Sequence, residues 1–503
     1  MSLIDKLREG RLSAYRSAPG DIREHFGIEE TVLAGGYGYR QVMELIQNGA
    51  DAILEDQEAI GQSHQQARIT VALVDDILYV ANTGSPLNEE GVKALLQSHS
   101  SPKRGNQIGR FGIGFKSLLR LDGRIDLISQ GLSMRFDPDE ARRLIRREFA
   151  LDESVPVPAL RVAWDLDGDA ERLADPVLGR YDWATTIVRA QVRNEMMLGH
   201  LREEMEKFPG GFLLFLPVSL MLTMDFGDGT VRRLERRPEG QELVLVDGEE
   251  SSRWLVVERM VTVTDTGAKN DATHLHARDQ VPLTWALPLE TKREEAGRFW
   301  AFFPTETPSR LPGILNAPWK LNSDRRSLID GEWNRFLMME AGKLVAEILP
   351  TLATEGDPGK PIDVFPRRVE RKDEVAAVLV ESLWERLVDL PVIPDCKGAL
   401  RFGQELKLHP VGKKDLAESW VELSSGELLT QWIHPSCLEG DRRARVDELA
   451  QRIGKRVQGA DEGCRPSLQT SDLGSWFAAV ATTETKTALK VLALAERYAG
   501  EVN

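Results

Sequence analysis

The segment Glu44-Leu-Ile-Gln-Asn48-Gly-Ala-Asp51-Ala52 constrains the fold most, because Gly109-Arg110-Phe111-Gly112-Ile113-Gly114-Phe115-Lys116-Ser117 follows it. The first segment sits inside a run, 39–59, whose apolar residues recur at helical spacing. Positions 44, 48 and 51 are spaced i, i+4, i+7, so their side chains fall within roughly 60° of one another on a helix. Gln41, Gln47 and Glu55 flank that polar stripe, and Val42, Leu45, Ile46, Ala50 and Ile53 cover the opposite side. Taken alone, such a helix is an amphipathic surface helix whose polar face meets water. A carboxylate and a carboxamide aimed the same way also suit a wall of a nucleotide site. There Glu44 would orient and deprotonate a water, and the Asn48 amide oxygen would bind Mg²⁺, which prefers hard oxygen ligands.

The second segment favours the nucleotide reading. Gly109, Gly112 and Gly114 leave the backbone bare at three close positions, so N–H groups can reach phosphate oxygens at the start of a helix. The pattern is neither a Walker A loop nor a dinucleotide fingerprint. Between the two segments, Asn82-x-Gly84 ends a strand. An amide there can meet the edge of a base and the glycine can let a ring lie close, or the pair can form a plain Asx turn.

The chain has 503 residues, room for roughly three domains of about 150 residues each. The expected order is a nucleotide-binding domain over 1–245, a smaller middle domain over 246–352, a Pro/Gly linker over 353–370 and a C-terminal region over 371–503. Strands are expected at 68–74 and 77–81, joined by Asp75-Asp76, then at 124–129, 133–136, 160–165, 185–192, 212–217 and 231–246. Helices are expected at 89–97, from 109 to about 121, from 333 to about 352, at 372–388 and at 483–498. Helices on one face of a mostly antiparallel sheet give a two-layer α+β fold class. The formal charge of −15 argues against a nucleic-acid-coating surface. The three cysteines (Cys396, Cys437 and Cys464) form no CxxC, and His434 with Cys437 is an isolated HxxC. Neither a secretion signal nor an apolar run of about 18 residues is visible, so a cytoplasmic protein without membrane spans is expected.

In order and wording these motifs resemble the GHKL ATPases: ninety-kilodalton heat-shock chaperones, type II topoisomerase ATPase regions, MutL proteins and histidine kinases. Glu44, Asn48, Asp51 and Ala52 match that family's N-box, and Gly109–Phe115 its later glycine box. Ile108–Ser117 looks like the sacsin branch. A second block supports that branch: Phe303-Pro304, Leu311-Pro312, Asn316-Ala317, Asn322-Ser-Asp-Arg325-Arg326-Ser327-Leu328 and Trp333-Asn334. The two blocks cover 39–121 and 299–335.

The resemblance implies a two-layer α/β sandwich of GHKL (Bergerat) type, a transducer-like middle domain and a mixed, largely helical C-terminal region. It implies a slow, Mg²⁺-dependent ATPase, with ATP and Mg²⁺ as ligands, acting as a chaperone-like switch or as part of a larger bacterial assembly such as one for defence, with a protein client or partner subunits and an ATP-dependent homodimer. Glu44 would be the general base and Asn48 the Mg²⁺ ligand, with Asp51 and Ala52 beside them. Asn82, where the heat-shock chaperones have Asp, would face adenine with Gly84, and Thr185 or Thr186 would lie behind it. Ser85-Pro86 replaces the second glycine of that box. Gly109 to Lys116 would cradle phosphates, Lys103 and Arg104 would lie in a short lid, and Arg325 or Arg326 would reach the γ-phosphate. The rival reading is a nucleotide-gated interaction module that hardly hydrolyses. A MutL- or topoisomerase-like role lacks a basic surface or cleavage domain, and a histidine kinase lacks a phosphoacceptor His in a helix pair before the N-box, His25 standing in an acidic context.

Overall fold

The structure is a computed structural model. It describes every residue except 35–39, 61–65, 97–113, 217–218, 273–278, 291–296, 323–324, 367–374, 459–467 and 503. The chain is mixed α/β, built on one large mixed sheet. In chain order its strands are β1 (Ala67–Val74), β2 (Ile77–Asn82), β3 (Asp122–Ser129), β4 (Leu132–Phe136), β5 (Trp164–Asp165), β6 (Thr186–Val192) and β7 (Leu220–Asp225). These are followed by β8 (Val231–Glu239), β9 (Glu242–Asp247), β10 (Glu250–Thr262), β11 (Gln280–Pro288), β12 (Arg298–Ala301), β13 (Phe303–Pro308) and β14 (Ile314–Asn316). Across the sheet they run β13-β12-β14-β11-β10-β9-β8-β7-β1-β2-β6-β3-β4-β5. Pairing is antiparallel except at β1–β7 and β12–β14.

Period-2 alternation sets the two faces of β1 and β2. Ile69, Val71, Leu73, Leu78 and Val80 point into one apolar cluster with the helix over 41–60. Ala72, Tyr79 and Ala81 point the other way, against Leu178, Tyr181 and Ala184. On that second face Arg189 bonds Asp126, Glu171 and Asp175, and Arg135 bonds Asp126 and Glu171. Each buried charge there has an opposite partner, as burial requires.

The labelled helices are α1 (Leu3–Ser17), α2 (Gly20–Ala34), α3 (Gln41–Ile60), α4 (Glu89–Leu96), α5 (Glu195–Glu206), α6 (Glu332–Ile348), α7 (Ala377–Leu387), α8 (Lys414–Leu423), α9 (Arg442–Gln458) and α10 (Thr485–Val502). α3 buries Val42, Leu45, Ile46, Ala50, Ile53 and Leu54 against the sheet. Each of the five Val, Leu and Ile side chains among them contributes about 1.5–3 kcal/mol of transfer free energy. α6 and α7 pack together, and one hydrophobic cluster runs from Val261 through α6 and α7 to Leu494 in α10.

Three strand expectations are corrected. The 160–165 run is a strand only at Trp164–Asp165. The 212–217 strand is a 3-10 helix, Gly210–Phe215, whose Phe212, Leu213, Leu214 and Phe215 are all buried. A continuous apolar run has no period, so it cannot by itself distinguish a strand from a buried turn of helix. The 231–246 strand is a hairpin, because Gly240 turns with φ +64° between β8 and β9. The 245/246 boundary falls inside β9, in an unbroken sheet. The 353–370 linker is packed over its described part: Ile362, Val364 and Phe365 are buried, and Arg442 from α9 bonds both Asp357 and Asp363.

Candidate functional site

α3 starts at Gln41, and its polar stripe does not meet water. Gln41, Glu44, Gln47 and Asp51 are 1%, 6%, 5% and 2% exposed, so the plain surface-helix reading fails. Asn48 and Ala52 on the same side are half-buried. Beneath the stripe, Gln41 Nε2 donates to the Ser117 carbonyl at 3.1 Å. This ties α3 to the helix Gly114–Leu121, which is of the tighter 3-10 form.

Asn82 closes β2 at the edge of α3. Its Cβ lies 3.1 Å from where a side chain on Gly49 would begin, so glycine at 49 lets α3 approach the strand end. The Asn82 Nδ2 donates to the Thr83 carbonyl at 2.8 Å, and the residue is 7% exposed. Directly across the ladder from Asn82 stands Thr186. Its hydroxyl is 2.8 Å from that of Ser129, which also accepts from Leu87 N at 2.9 Å. Ser129 therefore joins the Thr186 strand to the turn after Pro86, a role that a serine at a strand end does not announce in sequence.

Gly84 is needed bare within the fold itself. Its φ is +107°, and a Cβ there would lie 2.5 Å from Ala52 C and Ile53 N and 2.6 Å from Ala52 O. Ser85 N donates to Ala52 O at 2.8 Å. The bare Cα admits the backbone of α3, and the turn docks on the helix that carries Glu44, Asn48 and Asp51.

Of the two candidate arginines, the structure brings Arg325 to α3. The loop after β14 is pinned by Asn322, whose Oδ1 accepts from Arg326 N and Ser327 N, and by a Leu321–Leu328 bridge. Arg325 sits at its tip with φ +58°. Its Nη1 lies 3.2 Å from Glu44 Oε1. Arg326 points elsewhere: its side chain is 62% exposed and faces Glu306 at 3.6 Å. A second bridge to this half of the chain is Arg40, whose guanidinium lies 5.6 Å from the centre of the Phe303 ring.

Phe115 is buried in the main cluster, and Lys116 is 1% exposed. Burial, with the Arg161 charge nearby, pulls the Lys116 ammonium down to about 8, against the pull of Glu29. Glu29 accepts from Ala159 N and Leu160 N at 2.7 and 3.0 Å. Lys103 and Gly109, Arg110, Phe111, Gly112 and Ile113 lie outside the described residues.

A Mg²⁺ carried by a nucleotide would draw on this stripe through Asn48. Among the described residues no three or more His, Cys, Asp or Glu side chains form a metal-holding group. Mg²⁺ carried by a nucleotide needs few protein ligands, because phosphate and water oxygens supply the rest. The half-buried Asn48, on the Glu44 side of α3, can supply one oxygen. No helix among the described residues is long and apolar enough to cross a membrane.

No family model matches the chain. The Arabidopsis thaliana protein called Protein NO VEIN is 25% identical over 327 aligned residues, which cover 61% of this chain and 11% of that protein. The chain therefore spans a small part of the length of this relative.

Proposed function

We propose that this chain is a Mg²⁺- and ATP-dependent conformational switch of the GHKL type, with slow hydrolysis. The observation that carries the reading is the contact between Glu44 of α3 and Arg325, 281 residues later in the chain. A buried carboxylate on the wall of a candidate nucleotide site is met there by a cation from the far half of the chain. In this reading Glu44 positions and deprotonates the attacking water, and Asn48 would hold Mg²⁺ through one oxygen, the ion supplying neutralisation of phosphate charge when bound. Asn82 Oδ1 accepts from the base, and Thr186 and Ser129 hold the strand ends behind it. Arg325 exchanges its carboxylate partner for the terminal phosphate, so nucleotide state is felt by the second half of the sheet.

The same ion pair supports slow turnover, because a base held by a guanidinium must be released before it can accept a proton. It also favours a second reading, a nucleotide-gated interaction module that hydrolyses little. Binding of ATP and ADP with and without Mg²⁺, on wild type and Asn48→Ala, tests the first reading. ATP binding that strengthens with Mg²⁺ in wild type and loses that dependence in the variant supports it. Absence of nucleotide binding in wild type refutes both.

A further inference from the structure

α3 needs an acceptor at its N-terminus. The first four N–H groups of a helix have no partner inside it. They are ordinarily met by Ser, Thr, Asp or Asn at the residue before the first turn. Here that residue is Arg40, whose carbonyl accepts from Glu44 N at 3.0 Å but whose side chain carries only donors.

The missing acceptor comes from another helix. Glu204, on α5, takes the Met43 N–H at 2.8 Å through Oε1 and the Val42 N–H at 3.1 Å through Oε2. One oxygen meets each amide, and the carboxylate, when ionised, lies at the positive end of the helix dipole. α5 is fixed in turn: Met197, Leu201 and Met205 are buried in the cluster that holds Leu45 and Ile46. The two bonded amides immediately precede Glu44, so the carboxylate that caps the helix is within one turn of the carboxylate proposed as base.

We infer that Glu204 is a positioning residue for Glu44, fixing the first turn of α3 and so the direction of the Glu44 side chain. The inference rests on the ATP reading of Glu44 and deepens it. Burial pushes the Glu204 carboxyl up to about 7, with the Glu44 charge adding to the rise and the Met43 and Val42 amides and Arg40 opposing it.

The test is Glu204→Gln, with Glu204→Asp beside it. Glutamine keeps one acceptor but turns an NH₂ toward the second amide and removes the charge. Aspartate keeps the charge but is one methylene shorter. Two readouts are taken: hydrogen exchange at the Val42 and Met43 amides without nucleotide, and steady-state Mg·ATP turnover with nucleotide affinity measured separately. Expected for Glu204→Gln are faster exchange at both amides, a kcat roughly 10- to 100-fold lower, as misplacing a reacting group gives, and nucleotide affinity nearly unchanged. Glu204→Asp should fall between it and wild type. Faster exchange with wild-type kcat would make Glu204 a structural cap only and overturn the inference, as would unchanged exchange. If the wild type itself shows no Glu44-dependent turnover, the ATP reading fails first, and the exchange data separately show whether the cap exists.

Discussion

Replacing Gly84 by alanine separates two roles for the Asn82-x-Gly84 turn. If glycine serves to let a nucleotide lie close, alanine should weaken binding and leave the fold intact. If it serves to let the turn dock on α3, alanine should destabilise α3 before any ligand is added. Two costs can be worked out. The backbone at φ +107° is a conformation that non-glycine residues hold at about 1–3 kcal/mol. The new Cβ would also meet helix backbone at 2.5 Å, and backbone in an α-helix cannot swing aside as a side-chain tip can. Overpacking of that kind costs about 1–3 kcal/mol. Together they give roughly 2–6 kcal/mol, a large part of a typical domain's 5–15 kcal/mol. Native-state hydrogen exchange of the α3, β1 and β2 amides reads this directly, because the opening free energy falls by the same amount. Exchange in α3 should accelerate by roughly 30-fold or more, at about 1.4 kcal/mol per tenfold. Unchanged exchange in α3 together with lost nucleotide binding would refute the docking argument.

Further outcomes follow from other contacts. Arg442→Ala removes the cation that holds Asp357 and Asp363. It should cost roughly 3 kcal/mol, discounted because both carboxylates are about a third exposed, and limited proteolysis should then cut within 354–366 faster than in wild type. Arg325→Ala should slow turnover or release the second half of the chain from nucleotide control, whereas Arg326→Ala, which removes an exposed pair, should change neither; equal effects in a hydrolysis assay would contradict the placement. His25 and His409 are pushed down to about 4, mainly by burial. Because the unfolded chain takes up those protons more readily, stability should fall as pH drops from about 6.5 toward 4; denaturation midpoints measured across that window should flatten in His409→Gln.

Much of the site's frame is readable in sequence because it rests on local periodicity. The 3.6-residue period gives α3 its two faces, and Asp75-Asp76 between two alternating runs gives the β1–β2 hairpin. What periodicity does not carry is the burial of the polar stripe, which depends on turns and loops brought in from Asn82, Ser117 and Arg325. The choice between Arg325 and Arg326 stays open in sequence, since neighbouring residues of the same type differ only in backbone geometry, here a left-handed tip at Arg325. The 353–370 segment misleads because proline and glycine report loss of regular structure, not loss of packing, and its anchor is 79 residues or more away in Arg442. Glu204 has no sequence signal: it stands in Glu-Glu-Met-Glu-Lys, a run that reads as a solvated helix face. Its partners are backbone amides 161 and 162 residues earlier.

The account's central claim is that Glu44 is the base of a nucleotide-driven switch. Steady-state ATP hydrolysis with Mg²⁺, wild type beside Glu44→Ala, with ATP and ADP binding measured on both, tests it most directly. The account predicts slow turnover in wild type that vanishes in the variant while binding survives. Turnover that persists unchanged in Glu44→Ala, or a wild type that binds no nucleotide, would contradict it.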